Sequence, residues 1–172
     1  DKARSRDVLT AAGLPVAKGY VVTNPADSTL ENGLRFPVVV KPVDEGSSVG
    51  VSIVRDQEGF SKALQDALQG STRALVEEYV QGAEVQVAVL DAQALGTVEI
   101  EGRGEFYDYD SKYAPGGSVH HVPARISKKD ENATCDLAVA TFNQLGCAGA
   151  TRVDLILPQK GSPIILELNT IP

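Results

Sequence analysis

Several features are scarce in this chain, and each scarcity removes a class of function. No stretch approaches the roughly 18 consecutive apolar residues of a membrane-spanning helix, and the opening DKARSRD is too polar for a secretory leader. Positive charge is in the minority: 16 Lys and Arg stand against 23 Asp and Glu, a formal net charge of -7. Nucleic acid and anionic membranes are bound by clustered cations that neutralise phosphates, so this balance argues against both as partners. A small anionic ligand in a locally basic cleft is still compatible with it. Cysteine is limited to Cys135 and Cys147, neither in a C-x-x-C pair nor beside a plausible set of histidine ligands. They read as reduced, partly buried thiols of a cytoplasmic protein, with a disulfide as the alternative. The histidines, His120 and His121, are adjacent and would point to opposite sides of an extended strand, so they cannot readily share one metal. There is no internal repeat. The first residue is Asp1 rather than Met, which suggests a segment of a longer protein. What is present is an ordinary globular mixture, 42% hydrophobic and 23% charged over 172 residues, enough for one domain or two small lobes sharing a cleft.

Periodicity and punctuation place the elements. Residues 3–12 read as a helix stopped by Gly13 and Pro15, followed by a strand at Lys18–Val22. FPVVVKP, residues 36–42, has the β-branched composition of a buried strand and delivers Lys41 at its end. The loop from Asp44 to Gly50 and the strand Val51–Val54 complete a hairpin with a glycine-rich tip. Asp56 can cap a helix whose Phe60, Leu64, Ala67 and Leu68 share one face, ended by Gly70. Ala74–Val80 is strand-like, and Glu84–Leu90 alternates Val85, Val87 and Val89 with Glu84, Gln86 and Ala88. Asp91–Ala94 turns the chain into a strand at Leu95–Glu101. From Gly102 to Gly117 no period is visible. Ser127 opens a helix stopped by Gly146, and Thr151–Leu157 with Pro163–Asn169 form a terminal hairpin. Strands and helices do not follow a βαβα order, so the expected class is α+β with mainly antiparallel sheets.

The terminal hairpin carries the sharpest chemical signal. A turn centred between Lys160 and Gly161 pairs Asp154 with Glu167 and Arg152 with Asn169, all on one face because residues two apart in a strand point the same way. Carboxylates facing each other at about 5 Å repel unless a proton or cation lies between them. With an amide oxygen they form a hard-oxygen set suited to Mg²⁺. A solvated face salt-bridged through Arg152 explains the same residues. The loop Gly46-Ser47-Ser48-Val49-Gly50 offers backbone N–H groups and two hydroxyls for phosphate oxygens, although a plain flexible turn competes. It is not a Walker loop, since a strand follows it rather than a helix. Lys41 beside it must find an anion or reach water. Glu77 and Glu84 flank a strand end and a turn, where they can accept hydrogen bonds from nucleotide amino or hydroxyl groups or stand as solvated surface glutamates. Lys112 and Tyr113 could bring a cation and a phenol to a ligand.

Six runs occur in order along the chain: AAGLPVA, FPVVVKPVDEGSSVGVS, LVEEYVQGAEVQVAVL, FYDYDSKY, LGCAGATRVDL and ILELNTIP. Together they resemble D-alanine–D-alanine ligase over essentially the whole length. The resemblance implies an ATP-grasp fold, in which two α+β lobes hold the nucleotide between their sheets. The lobes would divide near Glu77, into 1–76 with the phosphate loop and 77–172 with the metal-binding hairpin. It implies that Lys2 and Lys41 contact ATP phosphates, with Ser47 and Ser48 in the loop covering them. Glu77 and Val80 would meet the adenine edge, Glu84 the ribose hydroxyls and Lys112 the γ-phosphate. Asp154, Glu167 and Asn169 would hold two Mg²⁺ ions, with Mn²⁺ an alternative. Arg152 would stabilise the oxyanion, and Tyr113, bonded towards Ser47, would help close the site, completing the catalytic set. The implied reaction joins two D-alanines through an acyl phosphate for peptidoglycan precursors, in the cytoplasm, by a homodimer in the full-length protein. ATP and D-alanine are the small-molecule partners. The family pattern also includes an N-terminal domain and a glycine-containing substrate segment beyond Pro172, both outside this chain. Two alternatives stand beside it: a ligase of the same superfamily with another second substrate, and an isolated nucleotide-binding module.

Overall fold

The computed structural model describes residues 1–27, 29–46, 49–102 and 118–170. Helix α1 (Lys2–Ala11) begins where the Asp1 carboxylate accepts a hydrogen bond from the Arg4 N–H at 2.9 Å, satisfying one of the free donors of the first turn. Four strands then build a first antiparallel sheet: β1 (Gly19–Val22), β2 (Val38–Pro42), β3 (Ser52–Val54) and β4 (Ala74–Glu78), in the order β1-β4-β2-β3. Helix α2 (Gln57–Gly70) is capped by Asp56, which accepts from the Gly59 N–H at 2.8 Å. It lays Phe60, Ala63, Leu64 and Ala67 against Val38, Val40 and Val76. Each large side chain buried in this way contributes on the order of 1.5–3 kcal/mol. Strand alternation fixes the consequence: with Val38 and Val40 turned to α2, Val39 and Lys41 face the other way.

The second sheet contains β5 (Gly82–Leu90), β6 (Gln93–Gly102), β7 (Ser118–His121), β8 (Ala150–Pro158) and β9 (Ile164–Asn169), in the order β7-β6-β5-β8-β9. Helix α3 (Lys128–Gln144), capped by Ser127, packs Ala138 and Phe142 on Val87, Val89, Val153 and Leu155. Helix α1 joins the two sheets. Its Leu9 enters the second core, whereas Ala3 sits with Val43 and Leu75 of the first lobe. The Ile165 N–H bonds to the Pro15 carbonyl at 2.9 Å, tying the segment after α1 to β9.

Three details differ from expectation. The β5–β6 turn is shorter than Asp91–Ala94: Asp91 and Ala92 alone take positive φ (46° and 63°), and Gln93 already pairs with Leu90. Strand β7 falls where the residues announce no element. The chain leaves the first sheet after Glu78 and enters the second at Gly82, so the expected change of lobe at Glu77 falls inside β4. At Gly82 a Cβ would lie 2.4 Å from the Leu157 carbonyl oxygen, so only glycine lets β5 approach β8 this closely.

The terminal hairpin pairs Arg152 with Asn169 and Asp154 with Glu167, as the turn geometry predicts, but by a less simple route. Nearer the turn the pairs are Leu155–Ile165 and Ile156–Ile164, and a bulge follows. Continued without it, that register would set Asp154 opposite Leu166. The extra residue restores the two carboxylates to facing positions. Cys135 and Cys147 are free, half-buried thiols, and burial pushes both above the usual thiol range. Among the described residues no helix is long and apolar enough to cross a membrane.

Candidate active site

A cleft of about 400 Å³ lies between the two sheets. Its first wall is cationic. Lys41 on β2 is 8% exposed, with its Nζ 2.5 Å from Oε2 of Glu77 on the neighbouring strand β4. Glu77 is itself 7% exposed, and its Oε1 lies 3.8 Å from Nε of Arg6 on α1. Charges this far from water persist because they are paired. Lys2, the first residue of α1, donates to the Glu45 carbonyl. Burial pushes its ammonium below the usual lysine range; Glu167, Asp44 and Glu45 oppose the shift, and Lys41 adds to it. Lys2 thus feels Lys41 from one sheet and Glu167 from the other, so the cations and the hairpin carboxylates converge.

The second wall is anionic. Asp154 is 3% exposed and receives a two-point grip from Arg152, Nε to Oδ1 at 2.7 Å and Nη2 to Oδ2 at 2.9 Å. This bond to Asp154 raises the guanidinium above its ordinary range. The Asn169 amide donates to Asp154 Oδ2 at 3.3 Å and to Glu167 Oε1 at 3.2 Å. The salt-bridged face considered from sequence is therefore present. The donor set also fits a hard cation, because a half-turn of the Asn169 amide exchanges its N–H for a carbonyl oxygen beside two carboxylates. Among the described residues no group of three His, Cys, Asp or Glu side chains gathers for a metal, and the set here is two carboxylates and an amide.

The D-ala D-ala ligase C-terminus family matches residues 8–172. This chain belongs to that family. A D-alanine--D-alanine ligase from Paramagnetospirillum magneticum is 45% identical over 177 residues, covering all of this chain and 57% of that protein. Among solved structures, the VanG D-Ala:D-Ser ligase from Enterococcus faecalis superposes with a TM-score of 0.85 at 32% identity, over all of this chain and 52% of that one. The Bacillus anthracis D-alanine--D-alanine ligase complexed with ATP gives 0.81 at 27% identity, over all of this chain and 56% of that one. The ligase-family chain thus spans somewhat over half the length of these relatives, and its two facing antiparallel sheets with their helices form an α+β, ATP-grasp fold.

Within this ligase-family fold, Lys2, Lys41, Glu77, Val80, Glu84, Asp154 and Glu167 line the same cleft. Arg152 and Asn169 stand beside it, bonded to Asp154. Ser47, Ser48, Lys112 and Tyr113 lie outside the described residues. Sequence reasoning missed Arg6, although Lys2 and Arg6 are four apart on one helix and share a face, which is a usable signal. It also missed Ile100, Ile156 and Leu166, which give the cleft an apolar lining, and the rim cluster on β6 and β7. There Arg125 grips Glu99 at 2.9 and 3.0 Å and Glu101 at 2.9 Å, and Glu101 meets His121 at 2.7 Å. The neighbouring His120 turns to Ser118 instead, its Nε2 lying 3.4 Å from the hydroxyl.

Proposed function

We propose that the complete protein joins two D-alanines in the cytoplasm with consumption of ATP, supplying D-alanyl-D-alanine for peptidoglycan, and that this chain provides its nucleotide cleft. The observation that carries the reading is the opposition of charges across one cleft: Lys2 and Lys41 on one wall, Asp154 and Glu167 on the other. A polyphosphate is attracted by the first wall and repelled by the second unless divalent cations lie between, which is the arrangement phosphoryl transfer uses.

In this reading the first lobe, expected from sequence as 1–76, runs to the end of β4 at Glu78, and the second, expected as 77–172, starts with β5 at Gly82. Lys41 and Lys2 hold phosphate oxygens, and Glu77 and Val80 define the adenine edge. Glu84 takes the ribose hydroxyls, while Ile100, Ile156 and Leu166 exclude water from the base. Asp154, Glu167 and Asn169 would hold two Mg²⁺, or Mn²⁺, which when bound neutralise charge on the transferring phosphoryl group. Arg152 is already oriented by Asp154 and presents a fixed cation to the oxygen on which charge accumulates, where electrostatic stabilisation is most effective. Lys112 on the γ-phosphate, and Ser47, Ser48 and Tyr113 over the phosphates, complete the assignment. Such a protein would have ATP and D-alanine as partners, without nucleic acid or membrane, and would act as a homodimer.

The test is phosphate release by the complete protein with D-alanine, D-lactate or D-serine. D-Alanine-dependent release is expected, and its absence ends the reading. A second reading, a different second substrate, is favoured by one observation: the D-Ala:D-Ser ligase shares the fold at a TM-score of 0.85. Release greater with D-serine than with D-alanine alone would establish it.

A further inference from the structure

We propose that Arg6 is a positioning residue for the cationic wall, holding Glu77 in charge balance so that Lys41 is free to be shared with an anionic ligand. The proposal rests on the nucleotide reading of the cleft and adds a residue that the reading does not use. Arg6 stands on α1 one turn after Lys2 and does not line the nucleotide cleft; it borders a smaller cavity of about 170 Å³ behind it. Its head group is fixed from one side by the Ala17 carbonyl, which accepts from Nε at 3.3 Å and Nη2 at 3.2 Å. From that anchor Nε reaches Glu77 Oε1 at 3.8 Å, while the other carboxylate oxygen of Glu77 meets Lys41 Nζ at 2.5 Å. One buried carboxylate therefore bridges two cations, and the side chains of all three are at most 18% exposed.

The physical consequence follows from what a ligand phosphate does to Lys41. An ammonium turning towards phosphate loosens its bond to Glu77, and a buried carboxylate stripped of its partner is strongly destabilising. Arg6 removes that obstacle, because Glu77 stays partnered whichever way Lys41 turns. A guanidinium suits this position because its positive charge is spread over the planar fork: the head is held by two N–H groups on the Ala17 carbonyl and still stands 3.8 Å from the Glu77 carboxylate as its charge partner. Without Arg6, Glu77 would hold Lys41 more tightly and the ligand would compete for it.

The experiment is a double-variant cycle in the complete protein, reading KM for ATP, kcat, and the rise in Tm caused by Mg²⁺-ATP. Arg6→Gln is expected to raise KM about tenfold while changing kcat by less than about twofold, the pattern of lost ground-state binding. Arg6→Lys should recover most of that loss. In a Glu77→Gln background, Arg6→Gln should add almost nothing, since no carboxylate remains to be balanced. An unchanged KM in Arg6→Gln, or effects of the two substitutions that simply add, overturns the proposal. If Arg6→Gln alone does not fold, the Arg6→Gln/Glu77→Gln pair is expected to fold as well as Glu77→Gln does, because no unbalanced carboxylate remains and Lys41 is left as it is in that single variant. A pair that stays unfolded while Glu77→Gln folds shows that Arg6 serves Ala17 alone, which also overturns it. A wild-type protein whose Tm does not respond to Mg²⁺-ATP refutes the nucleotide reading itself, a separate result.

Discussion

The two walls of the cleft solve opposite electrostatic problems. On the first, Lys41 and Arg6 flank a single buried carboxylate, so the wall keeps surplus positive charge in a place where unpaired charge is costly. On the second, a β-bulge brings Asp154 and Glu167 face to face, and Arg152 and Asn169 only partly offset them. The difference teaches how such a cleft reads a ligand. A polyphosphate can meet the first wall directly, but it can approach the second only with cations interposed.

The largest expected effect comes from removing the acidic wall. Asp154→Asn should lower D-alanine-dependent phosphate release by about 10²-fold or more, the scale of losing an electrostatic stabiliser of the transition state. Activity within a few-fold of wild type would mean the carboxylates are only structural. Next is the cationic wall, tested by differential scanning calorimetry. Wild type should gain about 2.7 kcal/mol from Mg²⁺-ATP at 100 times its Kd, and Lys41→Ala should gain almost nothing.

Lys2 sharpens the comparison, because its charge is present at a cost. Its folded pKa lies below its unfolded one, with desolvation the main cause, so the fold disfavours the charged form. That penalty applies fully below the folded pKa and disappears as pH rises through it towards the unfolded value. Lys2→Met is therefore expected to hold or raise Tm at pH 7 while weakening ATP binding. A marked fall in Tm would show that the bond to the Glu45 carbonyl outweighs the burial. The smallest effect belongs to the rim. The Arg125 guanidinium holds the Glu99 carboxyl below the usual glutamate range, chiefly through their hydrogen bonds. This stabilisation is present above the unfolded pKa and lost as pH falls through the folded one, so Arg125→Ala should move acid unfolding to a higher pH. No movement in acid titrations followed by circular dichroism would show that the rim contributes nothing to stability.

Much of this arrangement was legible in the residues. The strand FPVVVKP and the lysine it delivers were readable from composition, but the face Lys41 takes was not. An unbroken run of valines has no alternation, and only the packing of Val38 and Val40 on α2 turns the lysine to the cleft. The facing of Asp154 and Glu167 was also readable, although the bulge at Leu166 that maintains it was not: a bulge leaves no mark in a period-2 pattern of apolar residues. Strand β7 is only four residues long and follows a stretch without periodicity, so local composition could not announce it. Arg6 escaped notice because its partner Glu77 lies far along the chain, and only the packing of α1 across both sheets brings them together.

The most direct test of the opposed walls is ATP affinity measured by calorimetry in the complete protein with divalent cations chelated, comparing wild type with Glu167→Gln. Repulsion by the acidic wall predicts weak cation-free binding to wild type, tighter cation-free binding to Glu167→Gln, and a much smaller gain from Mg²⁺ in the variant. Equal cation-free affinities, or wild type binding ATP equally well with and without Mg²⁺, would contradict it.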